Sequence, residues 1–205
     1  YSRGVNANLY RSVVHICSHW ATISDFIVRN SANSTRVTQA TTVRDNIDHA
    51  GMEPWNGDSI YNAASGAHPS DSSAAYWRMY WPKVSGGGDA PGIPSTDVTN
   101  GSDTRHGSDT FSWIVEAYDR GYGSWSAVDM GRFVKLFGII WPEGDATPYE
   151  WFIGTGTRLA FNPNTGFLKL GRYSRAMQKR LEGLATSQNI GRWGNMALNA
   201  KLLGE

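Results

Sequence analysis

His15 and His19 stand four residues apart, the spacing that lets two imidazoles on one helix face share a metal ion. No HExxH motif accompanies them, and the remaining histidines are scattered through loop-like sequence. They read as polar-face residues, with no metal and no cofactor expected. Cys17 lies between them, but residues two apart on a helix do not face each other, so no Cys–His nucleophile is built there. One cysteine also excludes an internal disulfide. General acid–base work needs two carboxylates flanking a cleft. Glu116 with Asp119 and Glu143 with Asp145 are the nearby pairs, the first at i, i+3 on a helical pattern and the second in a turn. Both arrangements suit solvated charge. The chain has no GxSxG, phosphate-loop or dinucleotide fingerprint, and Gly86–Gly88 does not lead into a phosphate-binding helix. The residues therefore offer no catalytic set, and the expectation is a protein that is not an enzyme.

Two other groups of residues could recognise a partner. Trp55, Tyr76, Trp77, Tyr80 and Trp81 could stack on sugar rings or bases, or pack between subunits. Subunit contact through Trp55, Trp77, Tyr80 and Trp81 is the expectation, and a carbohydrate-binding or phage-appendage module is the alternative. The second group is basic. Residues 1–150 carry 11 Lys/Arg and 16 Asp/Glu, whereas 151–205 carry 8 Lys/Arg against only Glu182 and Glu205. Arg172, Arg175 and Lys179 step by three and four, with Arg180 beside them, so they form a stripe able to neutralise phosphates without reading sequence. The acidic residues of a neighbouring subunit are a second possible partner for it.

The elements that must position these residues are mostly helical. In 8–30, Leu9, Val13, Ile16, Trp20, Ile23 and Ile27 step by 4, 3, 4, 3, 4 and predict a helix with one inward apolar stripe. Asn33-Ser34 caps a weaker helix over roughly 35–50, ended by Gly51 and Pro54. Residues 52–110 have turn composition throughout, apart from a short aromatic helix in SDSSAAYWRMYW. TFSWIVEAYDRGYG reads as a short helix or a strand. Ser126 with Asp129 forms a capping box before Phe133, Leu136, Phe137 and Ile140, and Pro142 stops that helix. Thr147, Pro148 and Glu150 predict another helix start. Helices at 172–186 and 193–203 follow. The expected architecture is mainly α: a single helical-bundle domain over 1–205 with a long loop-rich, Trp-rich insertion at 52–110. YSRGVNANLY lacks the pattern of a signal peptide, and no apolar run approaches the ~18–20 residues of a membrane span.

Arg132-Phe133, Phe137, Trp141, Pro148-Tyr149-Glu150-Trp151 and Arg158-Leu159-Ala160-Phe161 together resemble, in order, motifs of the coat proteins of flexuous filamentous RNA viruses. The resemblance covers about 30 of the 205 residues, and the acidic residue that follows the last motif in that family is replaced by Asn162-Pro163-Asn164. It implies a virion subunit, assembled in the host cytoplasm, that self-associates and binds single-stranded RNA without sequence preference. It adds Arg132 and Arg158 to the expected nucleic-acid-binding set of Arg172, Arg175, Lys179 and Arg180. The carbohydrate-module alternative predicts instead that WIVEAY and RLAFNPNTGFLKL are strands, joined by a hairpin at 162–166.

Overall fold

The computed structural model describes residues 14–51, 59–77, 101–158, 165–183 and 190–204. Among them the protein is mainly helical, with eight α-helices and one two-stranded sheet. The helices are α1 (Val14–Asn30), α2 (Ser34–Asp45), α3 (Ile60–Ala64), α4 (Thr104–Asp119), α5 (Ala127–Ile140), α6 (Thr165–Leu170), α7 (Arg175–Gly183) and α8 (Ile190–Leu203). A π-turn, Asn46–Ala50, continues α2, and a 3-10 turn, Gly171–Tyr173, links α6 to α7. The sheet is an antiparallel pair, β1 (Ala67–His68) with β2 (Asp71–Ala75).

Helix α4 is the centre. Its buried positions run from Thr104 through Ser108, Phe111 and Ile114 to Ala117. At 100° per residue they cover roughly 220° of its circumference, far more than the single stripe of a surface helix. Helix α1 packs on one side of α4 and α6 on another, while α5 packs on β2 and α6. The close approach depends on small residues. A Cβ on Gly107 would lie 2.1 Å from the Phe152 ring, and one on Gly166 only 1.7 Å from the Ser108 carbonyl oxygen. Around this contact Phe111 meets Trp77 at 5.0 Å, Phe133 at 5.3 Å and Phe167 at 5.0 Å between ring centroids. Phe137 stacks on Phe167 at 4.3 Å. The core also holds a carboxylate: Asp48 accepts the indole N–H of Trp113 at 2.7 Å and of Trp125 at 3.1 Å. Burial pushes this carboxyl upward and the two indoles and His49 oppose the rise.

Local chemistry sets several boundaries. Asn33 caps α2 through the Arg36 amide, and Ser126 and Asp129 form the capping box of α5. Phe133, Leu136, Phe137 and Ile140 face the core, as do Met177 and Leu181 of α7. WIVEAY lies within α4 and GFLKL within α6, so neither is a strand.

Four expectations change. The apolar stripe of α1 is not its buried face: Leu9 and Val13 lie outside the described residues, Ile16 and Ile27 are half-buried, and the middle of the stripe turns outward. Val14, Cys17, Ser18, Ala21, Ser24 and Asp25 are buried, whereas Trp20 is 41% exposed, Ile23 58% and Phe26 61%. Only small side chains fit between α1 and the filled flank of α4, so the large ones turn outward. Residues 71–75 form strand β2 instead of a helix start, because the Asp71 side chain makes a local turn with Ser73 and the strand lays Ala74, Ala75 and Trp77 on the core. Thr147–Trp151 starts no helix. Its backbone bonds to the start of α4, Thr104 N–H to the Glu150 carbonyl at 2.7 Å, and Phe152 fills the space beside Gly107. The described parts of 52–110 are integral to the fold: α3, the sheet and the first turns of α4 supply Ile60, Ala64, Trp77 and Gly107.

Two helical glycines make opposite predictions. Gly131 on α5 has nothing within 4 Å of a built Cβ, so Gly131→Ala should stabilise by about 0.5–1 kcal/mol in urea denaturation. Gly166→Ala drives a methyl into the α4 backbone and should destabilise by about 3 kcal/mol or more.

Candidate functional site

The expected nucleic-acid-binding residues do not form one surface. Arg172 is buried, donating to Asn199 Oδ1 at 3.1 Å and to Asp119, with Tyr173 bonded to the same carboxylate at 2.7 Å. Arg132 donates to the carbonyls of Ser65 at 2.9 Å and Gly66 at 2.6 Å, where α3 ends. Arg158 lies over the Tyr149 ring at 3.6 Å and bonds Asp145 at 2.5 Å and the Thr147 carbonyl at 2.8 Å. Arg180 lies over the Trp141 ring at 4.4 Å and donates to the Trp141 and Pro142 carbonyls. These four guanidinium groups serve the fold. Their acidic partners, Asp119 and Asp145, belong to the same chain, not to a neighbour.

What remains is a smaller basic face. Arg175 and Lys179 are exposed one turn apart on α7. Arg175 also donates to the Leu203 carbonyl at 2.7 Å, which brings it to the end of α8, two residues beyond exposed Lys201. Together these three place positive charge at the α7–α8 end.

Of the expected subunit-contact residues, Trp55, Tyr80 and Trp81 lie outside the described residues. Trp77 is only 3% exposed and sits edge-to-face against Phe111, Phe133 and Phe152. It is part of the core of this chain, because the strand β2 carries the segment inward. The outward aromatic and aliphatic residues are elsewhere: Trp20, Ile23, Phe26 and Val43 on α1 and α2, and Trp193, Leu198 and Leu202 on α8. A cleft of about 530 Å³ between α1 and α2 is lined by Phe26, Ile27, Ala40, Val43 and Arg36.

One feature with the chemistry of a site escaped sequence reasoning. Asp103 caps α4 by accepting the Arg105 amide at 3.0 Å and the His106 amide at 3.1 Å, and its other oxygen bonds the His106 ring. The pair opens on a cleft of about 390 Å³ lined by Arg105, Glu150, Trp151 and Thr157. The bond from Asp103 raises the His106 pKa against its partial burial. Burial opposes the Asp103 charge, but the bonds from His106 outweigh it and hold the carboxyl below its usual range. An Asp three residues before a His at a helix start is the signal that could have found this pair. The arrangement stabilises a helix terminus and an imidazolium. No group of three possible metal ligands occurs among the described residues. His19 approaches Asp109 at 3.6 Å, and Glu116 bonds Lys169 and Arg120. Among the described residues no helix is long and apolar enough to cross a membrane.

The Asp103–His106 pair sets a pH dependence. The raised His106 pKa contributes stability below the ordinary value of 6.5 that is lost as pH rises through the folded-state pKa. The lowered Asp103 pKa contributes stability above the ordinary 3.8 that is lost as pH falls through its own folded-state value. The stability difference between the wild type and His106→Gln, from urea titrations, should therefore be largest between about pH 4 and 6.5 and shrink above it.

Comparison with protein-family models, with curated proteins and with solved structures returned no significant match.

Proposed function

We propose that this chain is a self-assembling structural subunit of the virion-coat kind, with a helical core, that holds nucleic acid non-specifically and carries out no catalysis. The observation that carries the reading is the display of large apolar residues outward on α1 and α8 while the core is filled without them. A surface of that kind marks a protein–protein contact. The partial sequence resemblance to filamentous-virus coat proteins supports the same reading, and single-stranded RNA is the polyanion it favours.

In this reading the nucleic acid contacts Arg175, Lys179 and Lys201 at the α7–α8 end. Arg132, Arg158, Arg172 and Arg180 act indirectly, by building the subunit that presents those cations. A face of two or three cations gives weak binding per subunit, so useful affinity comes only from many subunits along one strand.

Negative-stain microscopy of the purified protein with and without single-stranded RNA tests assembly, and binding titrations at several salt concentrations test the basic face. The expected result is multi-subunit particles. For the doubly substituted Arg175→Ala, Lys179→Ala protein the slope of log K against log salt should be smaller by about 1 to 1.5. Arg172→Ala should instead lose about 2–4 kcal/mol of stability, because it leaves buried partners unpaired. A protein that stays monomeric and shows no salt-dependent binding to single strands contradicts the proposal.

A further inference from the structure

The outward stripe of α1 has a register. Ile16, Trp20, Ile23 and Ile27 step by 4, 3 and 4, the first and fourth positions of a heptad, and Leu9 and Val13 continue the same steps in the sequence. The helix is two-sided by size. Small residues, Cys17, Ser18, Ala21 and Ser24, face the bundle. Ile16 and Ile27 are half-buried, while Trp20 and Ile23 stand out with Phe26 at their margin. From Ile16 to Ile27 the stripe runs roughly 16 Å at 1.5 Å per residue. A 3.5-residue repeat keeps its apolar side facing one neighbouring helix along its whole length, so its complement is a helix with the same repeat.

Among the described residues α8 also turns large apolar side chains outward, but Trp193, Leu198 and Leu202 step by five and four, which is not a heptad repeat. The longest stretch outside the described residues, 78–100, is broken by Pro82, Gly86–Gly88, Pro91 and Pro94 and has no apolar heptad. Stretches 52–58, 159–164 and 184–189 are at most seven residues long, too short to hold two heptads. Within 1–13 the sequence spaces Leu9 and Val13 in the same repeat as Ile16 and Trp20. The one acid of α1, Asp25, points into the bundle and is bonded to Arg29, Arg44 and Arg120. Two copies of the outward face therefore meet without burying a carboxylate. The apolar surface continues sideways into the α1–α2 cleft through Phe26, Ile27 and Val43, which widens the area a partner helix covers.

We infer that α1 of one subunit pairs with α1 of a second copy through Ile16, Trp20, Ile23 and Ile27, a self-complementary heptad seam that forms the elementary contact of the assembly. This inference deepens the assembly reading and rests on it, but it names one face, and the two can fail separately.

Light scattering over a dilution series compares the wild type with Ile23→Glu, and with Val128→Glu as a control. Val128 is 73% exposed on α5, away from the seam. Ile23→Glu should weaken self-association roughly hundredfold or more, while Val128→Glu should leave it unchanged. Circular dichroism confirms that each variant is folded, and Ile23→Ser replaces Ile23→Glu should the latter fail to fold. An Ile23 variant that is folded and still associates like the wild type overturns the seam, and particles seen with RNA in that case leave the assembly reading standing. An equimolar mixture of wild type and Ile23→Glu that forms mixed dimers as readily as wild-type dimers overturns self-pairing, because each mixed pair needs only one intact α1 face. Wild-type protein that is monomeric at every concentration, with and without RNA, overturns both.

Discussion

The structure depends on the burial of α4. A helix enclosed over more than half its circumference needs neighbours that approach closely, and close approach needs small residues at the crossings. The Gly166 contact with the Ser108 backbone and the Phe152 ring seated on Gly107 meet that need on one side. Cys17, Ala21 and Ser24 of α1 meet it on another. Much of the remaining arrangement follows. Trp77, Phe111, Phe133, Phe152 and Phe167 fill the space around α4 by edge contacts, and Asp48 takes the indole N–H groups of Trp113 and Trp125 that a dry core would leave unbonded. Because α1 spends its small residues on α4, its large ones have nowhere to go but outward. The outward apolar face of α1 is thus a consequence of how the centre is packed.

Electrostatics follow the same economy. Three of the eight cations in the last quarter of the sequence bond carboxylates of α4 and the loop after α5. Lys169 bonds Glu116, Arg172 bonds Asp119, and Arg158 bonds Asp145. At the same C-terminal end of α4, Asp25 gathers Arg29, Arg44 and Arg120 around one buried carboxylate. Part of the charge asymmetry of the sequence thus joins the C-terminal helices to the centre, while Arg175, Lys179 and Lys201 stand exposed at the α7–α8 end.

Sequence reasoning succeeded where the determinant is local. The Asn33 cap, the Ser126–Asp129 box and the inward faces of α5 and α7 depend on residues within a turn or two of each other. It failed where the determinant is a distant neighbour. Apolar periodicity identified α1 as a helix but could not say which of its two faces meets the bundle, since that depends on how much room α4 leaves. Thr147-Pro148 has the chemistry of a helix start, yet its backbone groups are taken by the start of α4, and positive φ at Gly154 and Gly156 bends the chain away. The basic stripe failed for the same reason: spacing placed Arg172, Arg175 and Lys179 together, while only the fold reveals that Asp119 and Asn199 claim the first of them.

If α1 pairs with a second copy, its heptad face is open on the isolated chain and covered on association. Hydroxyl-radical footprinting across a protein concentration series measures that directly. Trp20, Ile23 and Phe26 should be oxidised in dilute protein and become protected as the chains associate, while buried Cys17 stays unreactive throughout. Trp20 and Ile23 that are protected already in the dilute monomer, or remain oxidised in the assembled state, would contradict that pairing.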